Sequence, residues 1–221
     1  MSQPPDFETL YRANHDPWRV GTSSYEQRKL DIVLACLSRP RYCLAWDPAC
    51  GTGHLAARLA ERCDRVLASD ASEAAVALTT TECRGVGNVT YRVLRLPAVP
   101  ADLGAPDLIV LSEFFYYLAD AARAKTIALL DQIAAADCEL LAVHWRHVPS
   151  DAWLGGSGAQ QEILTRLASL GWTHRVITTT RSSSSTSSTV RAARDRPHAL
   201  AAELAAADSG AAATARRLRP T

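Results

Sequence analysis

A glycine-rich turn at residues 47–53 carries the residue types best suited to binding a nucleotide-like ligand. It reads Asp-Pro-Ala-Cys-Gly-Thr-Gly, follows the apolar run 43–46 and precedes a helical pattern at 54–62. A strand, a glycine turn and a helix in this order wrap the backbone around such a ligand. The glycines supply positive φ angles, which a tight turn without any ligand would also need. The candidate cofactor-binding residues here are Asp47, Ala49, Gly51 and Gly53.

The acid at the head of the turn distinguishes between two kinds of cofactor. A dinucleotide loop presents amide N–H groups and a helix N-terminus to an anionic pyrophosphate, which the carboxylate of Asp47 would repel. S-adenosylmethionine has no phosphate and carries an ammonium and a sulfonium group, so an acid at this position favours it. The spacing Gly51-x-Gly53-x-x-Ala56 also satisfies the dinucleotide pattern, and an NAD(P)-dependent oxidoreductase therefore stays as the alternative.

A second acid stands at the end of the next predicted strand. Asp70 closes the run 66–70 and lies 23 residues after Asp47. In doubly wound folds an acid at this place accepts hydrogen bonds from the ribose hydroxyls. Ribose occurs in both cofactors, so Asp70 supports a nucleoside site without choosing between them. Ala71, which follows directly, is a further candidate cofactor-binding residue.

Strand and helix patterns alternate along the chain and position these residues. After a helical preface within residues 7–40, strands are predicted at 43–47, 66–70, 89–94, 107–112, 138–144 and 171–178, and helices at 54–62, 72–82, 120–136 and 158–170. Such alternation predicts an α/β fold, with a doubly wound, mostly parallel, Rossmann-like sheet and N-terminal helices. Ligands of these sheets bind beyond the carboxyl ends of the strands, which adds Leu96 and Ser112 to the candidate cofactor-binding residues.

Composition divides the chain into three segments. Residues 1–42 are predicted to form a helical lid, and residues 43–180 the nucleoside-binding domain. After residue 180 a Ser/Thr run gives way to Ala- and Arg-rich sequence, which buries too little apolar area to offset the entropy of ordering. Residues 181–221 are therefore expected to be a low-complexity, disordered tail.

Charge, cysteine content and hydropathy argue against several classes of partner and site. The 221 residues include 24 basic and 23 acidic side chains, without the basic footprint of a nucleic-acid-binding protein. Six scattered cysteines contain no CxxC pair, which predicts buried thiols in a reducing cytosol rather than a metal site. The sequence shows no signal peptide and no apolar run of membrane-spanning length. We therefore expect a cytoplasmic protein with no metal, membrane or nucleic-acid partner.

Several separated motifs support one family. The turn at 47–53, Asp70 and the segment 107–113 together resemble the corresponding motifs of class I S-adenosylmethionine-dependent methyltransferases. Five short segments resemble, more narrowly, the nodulation protein S type of small N-methyltransferase: Leu-Tyr-Arg at 10–12, Asp-Pro-Trp at 16–18, Tyr-Glu-x-Arg-Lys at 25–29, Ser-Glu-Phe-Phe-Tyr-Tyr-Leu at 112–118 and His-Trp-Arg at 144–146. The resemblance covers residues 7–178. It implies S-adenosyl-L-methionine as cofactor and methyl transfer to a small-molecule acceptor, namely the nitrogen of an aminosugar or related amine.

Three departures from the family pattern bear on function. Ala49 replaces a glycine of the first loop, and the segment 93–97 has no acid to accept the adenine amino group. The family's sheet closes with an antiparallel pair of strands, six and seven, whereas this chain turns to serine where strand seven should run. The sequence therefore leaves the seventh strand in doubt, and a non-catalytic nucleoside-binding remnant is a second alternative.

Glu113 and His144 are the candidate catalytic residues because they stand at the ends of the predicted fourth and fifth strands. Methyl transfer from a sulfonium is an in-line displacement, and an amine acceptor must be neutral to attack. Glu113 would orient the amine or take its proton, and His144 is the second candidate for this role. The alternatives are an acid that stabilises a helix dipole for Glu113 and a packed strand-end histidine for His144.

Four aromatic side chains are the candidate substrate-binding residues: Trp18, Tyr25, Tyr117 and Trp145. A sulfonium or protonated amine over such a ring gains about 0.5–2 kcal/mol, and sugar rings also stack on aromatic faces. The alternative is a place in the core, and of the tyrosine pair 116–117 we expect one in the core and one at the site. Arg28 or Lys29 would pair with the cofactor carboxylate if the N-terminal helices fold over the cofactor.

Overall fold

The computed structural model describes residues 4–181 and 186–194. Its helices are α1 (Phe7–Ala13), α2 (Ser24–Ala35), α3 (His54–Ala60), α4 (Glu73–Glu82), α5 (Asp120–Ile133) and α6 (Gly156–Ser169). Its strands are β1 (Tyr42–Asp47), β2 (Cys63–Asp70), β3 (Val89–Val93), β4 (Leu108–Ser112), β5 (Glu139–Trp145), β6 (Trp172–Arg181) and β7 (Thr186–Arg194). Among the described helices, none has both the length and the apolar character needed to cross a membrane.

The described strands form one sheet in the order β3-β2-β1-β4-β5-β7-β6. Strand β1 pairs in parallel with both β2 and β4, and the parallel region continues to β3 on one side and to β5 on the other. Strand β7 is antiparallel to β5 and to β6. The strand order therefore reverses between β1 and β4, which is where ligands of doubly wound sheets bind. The predicted doubly wound, mostly parallel fold with N-terminal helices is confirmed.

Alternating side chains of the central strands supply two hydrophobic cores, one on each face of the sheet. In β4, Ile109 and Leu111 pack with α5 and α6 on one face, whereas Leu108 and Val110 pack with α2 and α3 on the other. Because both faces are covered, these strands are almost continuously apolar. Burial on both faces also fixes the strand ends, and with them the polar residues that stand there.

Strand β7 is present where the serine-rich sequence put a seventh strand in doubt. It lies between β5 and β6 and forms seven residue pairs with β5. A strand in the interior of a sheet gains a backbone ladder on each side, so small side chains suffice on its faces. The buried ones are Ser187, Thr189, Val190 and Ala192. The expectation of a disordered tail therefore does not hold for residues 186–194, and residues 182–185 and 195–221 lie outside the described residues.

Truncation tests the structural role of β7. Ending the chain after Arg181 removes the antiparallel partner of both β5 and β6, and leaves the edge of β5 unpaired. We expect this variant to precipitate, or to unfold at least about 10 °C below the full chain by differential scanning calorimetry. A control chain that ends after Asp195 retains β7, and its Tm should stay within about 2 °C of the full chain. Equal Tm values for the two truncations would contradict this assignment.

Candidate active site

The glycine turn lies at the reversal point of the strand order. It follows Asp47, the last residue of β1, and leads into α3. Gly51 has φ +53° and Gly53 has φ +87°, both in the left-handed region. A Cβ at residue 53 would lie 2.7 Å from the Cα of Thr79, so only glycine fits there. The Thr79 hydroxyl donates to the carbonyl of Gly51 at 2.9 Å and ties the turn to α4, while Ala49 is half-buried within the turn.

Asp47 is a buried carboxylate without a partner. Its side chain is 1% exposed, and neither carboxylate oxygen accepts a hydrogen bond from the described residues. Burial raises the pKa of Asp47 to about 8, the nearby charge of Asp70 adds to this rise, and the backbone amide of Ala49 offsets it only in part. Buried polar groups are almost always paired, and an orphan of this kind indicates a missing ligand. A cationic group bound beside Asp47 would supply the partner that the protein itself does not.

Asp70 ends β2 next to the same turn. One carboxylate oxygen accepts from the Gly51 amide at 3.1 Å, and the other from the Ser72 amide at 3.0 Å. Burial raises the pKa of Asp70, although these amides partly offset the rise. Because each carboxylate oxygen has two lone pairs, both oxygens can accept a further hydrogen bond.

A cavity opens beside Asp70 and is covered by the N-terminal segment. It has a volume of about 180 Å³ and is lined by Pro5, Asp6, Phe7, Glu8, Asp70, Ala71, Ser72 and Arg95. That volume is below the roughly 300–1,000 Å³ of typical ligand pockets. Ala71 is exposed at this cavity, whereas Leu96 is half-buried and packs against the core on the α5 side.

Helix α1 is fastened over the glycine turn and the start of α4 by Glu8, which no sequence motif identified, and by Tyr11 of the Leu-Tyr-Arg segment. Glu8 accepts from the Ser72 hydroxyl at 2.7 Å and from the Ala74 amide at 3.1 Å, at the N-terminus of α4. Tyr11 is buried, and its hydroxyl would lie 2.8 Å from a Cβ added at Gly51. The negative charge of Glu8 is favourable at the N-terminus of α4. Because α4 begins more than 60 residues after Glu8, no local sequence pattern identifies this contact.

Glu113 follows β4 and is held by three hydrogen-bond donors. Lys29 Nζ donates to Oε1 at 2.8 Å, while the Tyr116 hydroxyl and the Trp145 amide each donate to Oε2 at 2.8 Å. Burial raises the pKa of Glu113, but the charge of Lys29 and the hydrogen bonds from Lys29 and the Trp145 amide lower it, and the net shift is downward. Lys29 thus pairs with carboxylates of the protein itself, Glu113 and Glu26, and not as expected from the sequence with a cofactor carboxylate. Ser112, directly before Glu113, is half-buried.

His144 is buried near the end of β5 without a hydrogen-bond partner. It is 0% exposed, and both ring nitrogens lack a partner among the described residues. Burial lowers the pKa of His144 to about 4, so the ring is neutral at neutral pH. Its ring lies 5.4 Å from that of Tyr116, which in turn binds Glu113. Within the described ranges, no group of three or more His, Cys, Asp or Glu side chains is arranged to hold a metal ion.

The four aromatic candidates fall into two groups. Trp18 and Tyr117 both contact Phe7 of α1, with ring centroids 6.4 and 5.0 Å apart. Tyr25 and Trp145 lie around Glu113, where the Tyr25 hydroxyl pairs with Ser187 at 2.6 Å and the Trp145 amide binds the carboxylate. Of the tyrosine pair, Tyr116 is buried in the core and Tyr117 is half-buried, and a place for Tyr117 at the site stays a prediction.

The uncompensated carboxyl of Asp47 should limit the stability of the ligand-free protein. Its pKa is raised in the folded state, so the folded state holds a proton that the unfolded state loses, and stability falls as pH rises from about 4 to 8. We expect Asp47→Asn to raise the Tm much more at pH 8 than at pH 5, with an increment that grows by up to about 1.4 kcal/mol per pH unit. Thermal unfolding across this range measures it, and Asp64→Asn, at an exposed acid, is the control. An Asp47→Asn increment that does not change with pH would contradict the raised pKa.

Comparison with known proteins agrees with this geometry. The family described as Nodulation protein S (NodS) matches residues 8–195. The Nodulation protein S of Sinorhizobium fredii is 28% identical over 129 residues, which are 57% of this chain and 59% of that protein. The Nodulation protein S of Bradyrhizobium diazoefficiens is 28% identical over 170 residues, which are 74% and 79% of the two chains.

A solved structure shares the fold. The crystal structure of the N-methyltransferase NodS from Bradyrhizobium japonicum, in complex with S-adenosyl-L-homocysteine, has a TM-score of 0.74 and 18% identity, and the match covers 87% of this chain and 100% of that one. The observed fold is therefore the class I methyltransferase fold that the sequence motifs predicted. Because the family match extends over most of the chain, from α1 to the end of β7, the chain belongs to the nodulation protein S family.

Proposed function

We propose that this protein is an S-adenosylmethionine-dependent methyltransferase that acts on the nitrogen of a small-molecule amine, such as an aminosugar. The observation that carries the proposal is the buried, unpartnered carboxylate of Asp47 at the head of the glycine turn. A carboxylate in this place attracts the positive charge of S-adenosylmethionine and repels a pyrophosphate. Family membership supports the same function, because the NodS protein of Bradyrhizobium japonicum is an N-methyltransferase.

The residues around the turn have distinct roles in this proposal. Asp47 faces the ammonium group of the cofactor, and the backbone of Ala49, Gly51 and Gly53 lies close to its methionine portion. Asp70 binds the ribose hydroxyls with the lone pairs that the Gly51 and Ser72 amides leave free. The candidates that flank the base and the methyl-bearing end are Ala71, Leu96 and Ser112.

The acceptor side is proposed to lie at the ends of β4 and β5. The amine lone pair attacks the methyl carbon, the carbon–sulfur bond breaks with its electron pair moving to sulfur, and the methylated nitrogen then releases a proton to water. Glu113 is ionised and a weak base because of its lowered pKa, so it orients the amine instead of removing its proton. The neutral ring of His144 has a free nitrogen that accepts an N–H of the acceptor. Trp18, Tyr25, Tyr117 and Trp145 offer aromatic surface to a cation or sugar ring.

An NAD(P)-dependent oxidoreductase explains the site less well. It would place two phosphates against a carboxylate that is already destabilised by burial. A non-catalytic remnant would bind the nucleoside, but it would need neither the hydrogen-bonded carboxylate of Glu113 nor the unpaired ring of His144 at the ends of β4 and β5.

Binding of S-adenosylhomocysteine should depend on pH through Asp47. Below pH 8 the carboxyl of the free protein holds a proton, which must leave before the cationic ligand binds. Affinity should therefore rise by up to about tenfold per pH unit between pH 6 and 8, and calorimetry in buffers of different ionisation enthalpy should detect the released proton. Asp47→Asn should bind at least about tenfold more weakly at pH 8 and lose the pH slope, while Asp64→Asn should match the parent. Stabilisation by NADH and not by S-adenosylhomocysteine would overturn the proposal.

Transfer of a labelled methyl group from S-adenosylmethionine to a panel of aminosugars and simple amines tests the activity itself. We expect turnover on a primary amine, and Glu113→Gln should lower kcat/KM by about 10²-fold with little change in cofactor affinity, because it removes an orienting charge on the acceptor side only. Mass spectrometry of the product locates the methyl group on nitrogen. Cofactor binding without transfer to any member of a broad amine panel would favour the non-catalytic alternative.

A further inference from the structure

Lys29 is a buried cation to which cofactor binding gives no role. It is 7% exposed, and its Nζ lies 2.7 Å from Glu26 and 2.8 Å from Glu113. Of the 24 basic residues in the chain, only Lys29 and Lys125 are lysines, and all others are arginines. Lysine and arginine are not interchangeable at a confined ion pair, because the ammonium is compact and the guanidinium is a broad planar fork. The compact ammonium of Lys29 fits between the two carboxylates, and an arginine at this position would fit less well.

The polar face of α2 reaches the ends of two separate strands. Lys29 binds Glu113, which directly follows β4, and the Tyr25 hydroxyl pairs with Ser187 in β7 at 2.6 Å. The ammonium of Lys29 also lies 5.9 Å from the centroid of the Tyr25 ring. Helix α2 is therefore fastened to the acceptor side of the sheet by side chains one turn apart, and not only by its apolar face.

The backbone of Glu113 is strained in a way that fixes its side chain. Its φ is +59°, a left-handed value that is unfavourable by about 1–3 kcal/mol for a residue other than glycine. Its amide nevertheless donates to the Val143 carbonyl at 2.9 Å, so the residue continues the pairing of β4 with β5. Strain of this kind persists only where the surroundings over-determine the conformation, and it concentrates at functional sites.

The charges around Lys29 do not balance. Two carboxylates, Glu26 and Glu113, share one ammonium, which leaves one formal negative charge in a mostly buried cluster. The neighbouring His144 is neutral and does not compensate it. The N–H of a neutral acceptor amine would complete this cluster by donating to the lone pair of Glu113 Oε1 that Lys29 leaves free.

We propose that Lys29 is a positioning residue for the acceptor side of the active site. Through its ion pair it holds the Glu113 carboxylate in the orientation that receives the amine, so the docking of α2 completes the acceptor site. This inference rests on the proposed methyltransferase function, because Glu113 has an acceptor to orient only if a methyl group is transferred.

The first test follows the ionisation of Glu113 and needs no activity. In protein labelled with ¹³C at the glutamate carboxyls, the Glu113 signal is identified by its loss in Glu113→Gln. We expect no titration of this signal between pH 5 and 8 in the parent or in Lys125→Met, since Lys125 is exposed on α5. In Lys29→Met it should titrate within that range, because a close opposite charge lowers a carboxyl pKa by about 1–3 units. An unchanged Glu113 signal in Lys29→Met would overturn the proposal.

The second test separates positioning from folding. Lys29→Met should lower kcat/KM by about 30-fold or more in the parent but less than about threefold in a Glu113→Gln background, because it acts only through Glu113. The Kd for S-adenosylhomocysteine should change less than about twofold, and Lys29→Arg should recover part of the lost rate. Equal effects of Lys29→Met in both backgrounds would assign Lys29 a purely structural role and overturn the inference.

The two proposals fail in different ways. If the parent transfers no methyl group, the proposed function fails, whereas an active parent with additive effects of the two substitutions refutes only the role of Lys29. Should Lys29→Met not fold, Lys29→Met/Glu26→Gln removes one buried carboxylate together with the cation and permits the same measurements against Glu26→Gln alone.

Discussion

The free-energy cost of burying charge at the ends of the central strands is the constraint on which the rest of the structure depends. Strands β1, β4 and β5 are covered on both faces, so the polar residues at their carboxyl ends have little access to water. Each ionisable group there must pair with another group of the protein, become neutral, or remain unpaired until a ligand binds. Asp47 and His144 have no hydrogen-bond partner in the part of the chain that the structure describes, whereas Glu113 has three donors.

This difference divides the site by function. The orphaned Asp47 lies where a cationic nucleoside is proposed to bind, and it destabilises the protein until that ligand arrives. Glu113 is already satisfied, at the cost of a left-handed backbone, and its charge persists whether or not an acceptor is present. An unpaired charged group contributes most to the binding free energy of a ligand, whereas a paired group has a fixed orientation. Methyl transfer requires both a bound donor and an aligned acceptor.

Local patterns in the sequence were enough to predict the sheet, the glycine turn and the acid that ends β2. Period-two and period-3.6 hydrophobic patterns and a positive-φ requirement are all properties of neighbouring residues. Residue composition does not reveal β7, because this strand is held by backbone hydrogen bonds to β5 and β6 and contains few large apolar side chains. The pairs Lys29–Glu113 and Glu8–Ser72 join residues 84 and 64 positions apart, and no local pattern specifies such partners.

The bond between Tyr25 and Ser187 has a consequence for biosynthesis. These residues are 162 positions apart, and β7 is the last described strand to be translated, although it lies inside the sheet. During synthesis the glycine turn and β1 to β5 emerge first, so the nascent chain can assemble the nucleoside half while its second half is still absent. The face of α2 that carries Tyr25 and Lys29 can therefore make its contact with Ser187 only after β7 has been synthesised.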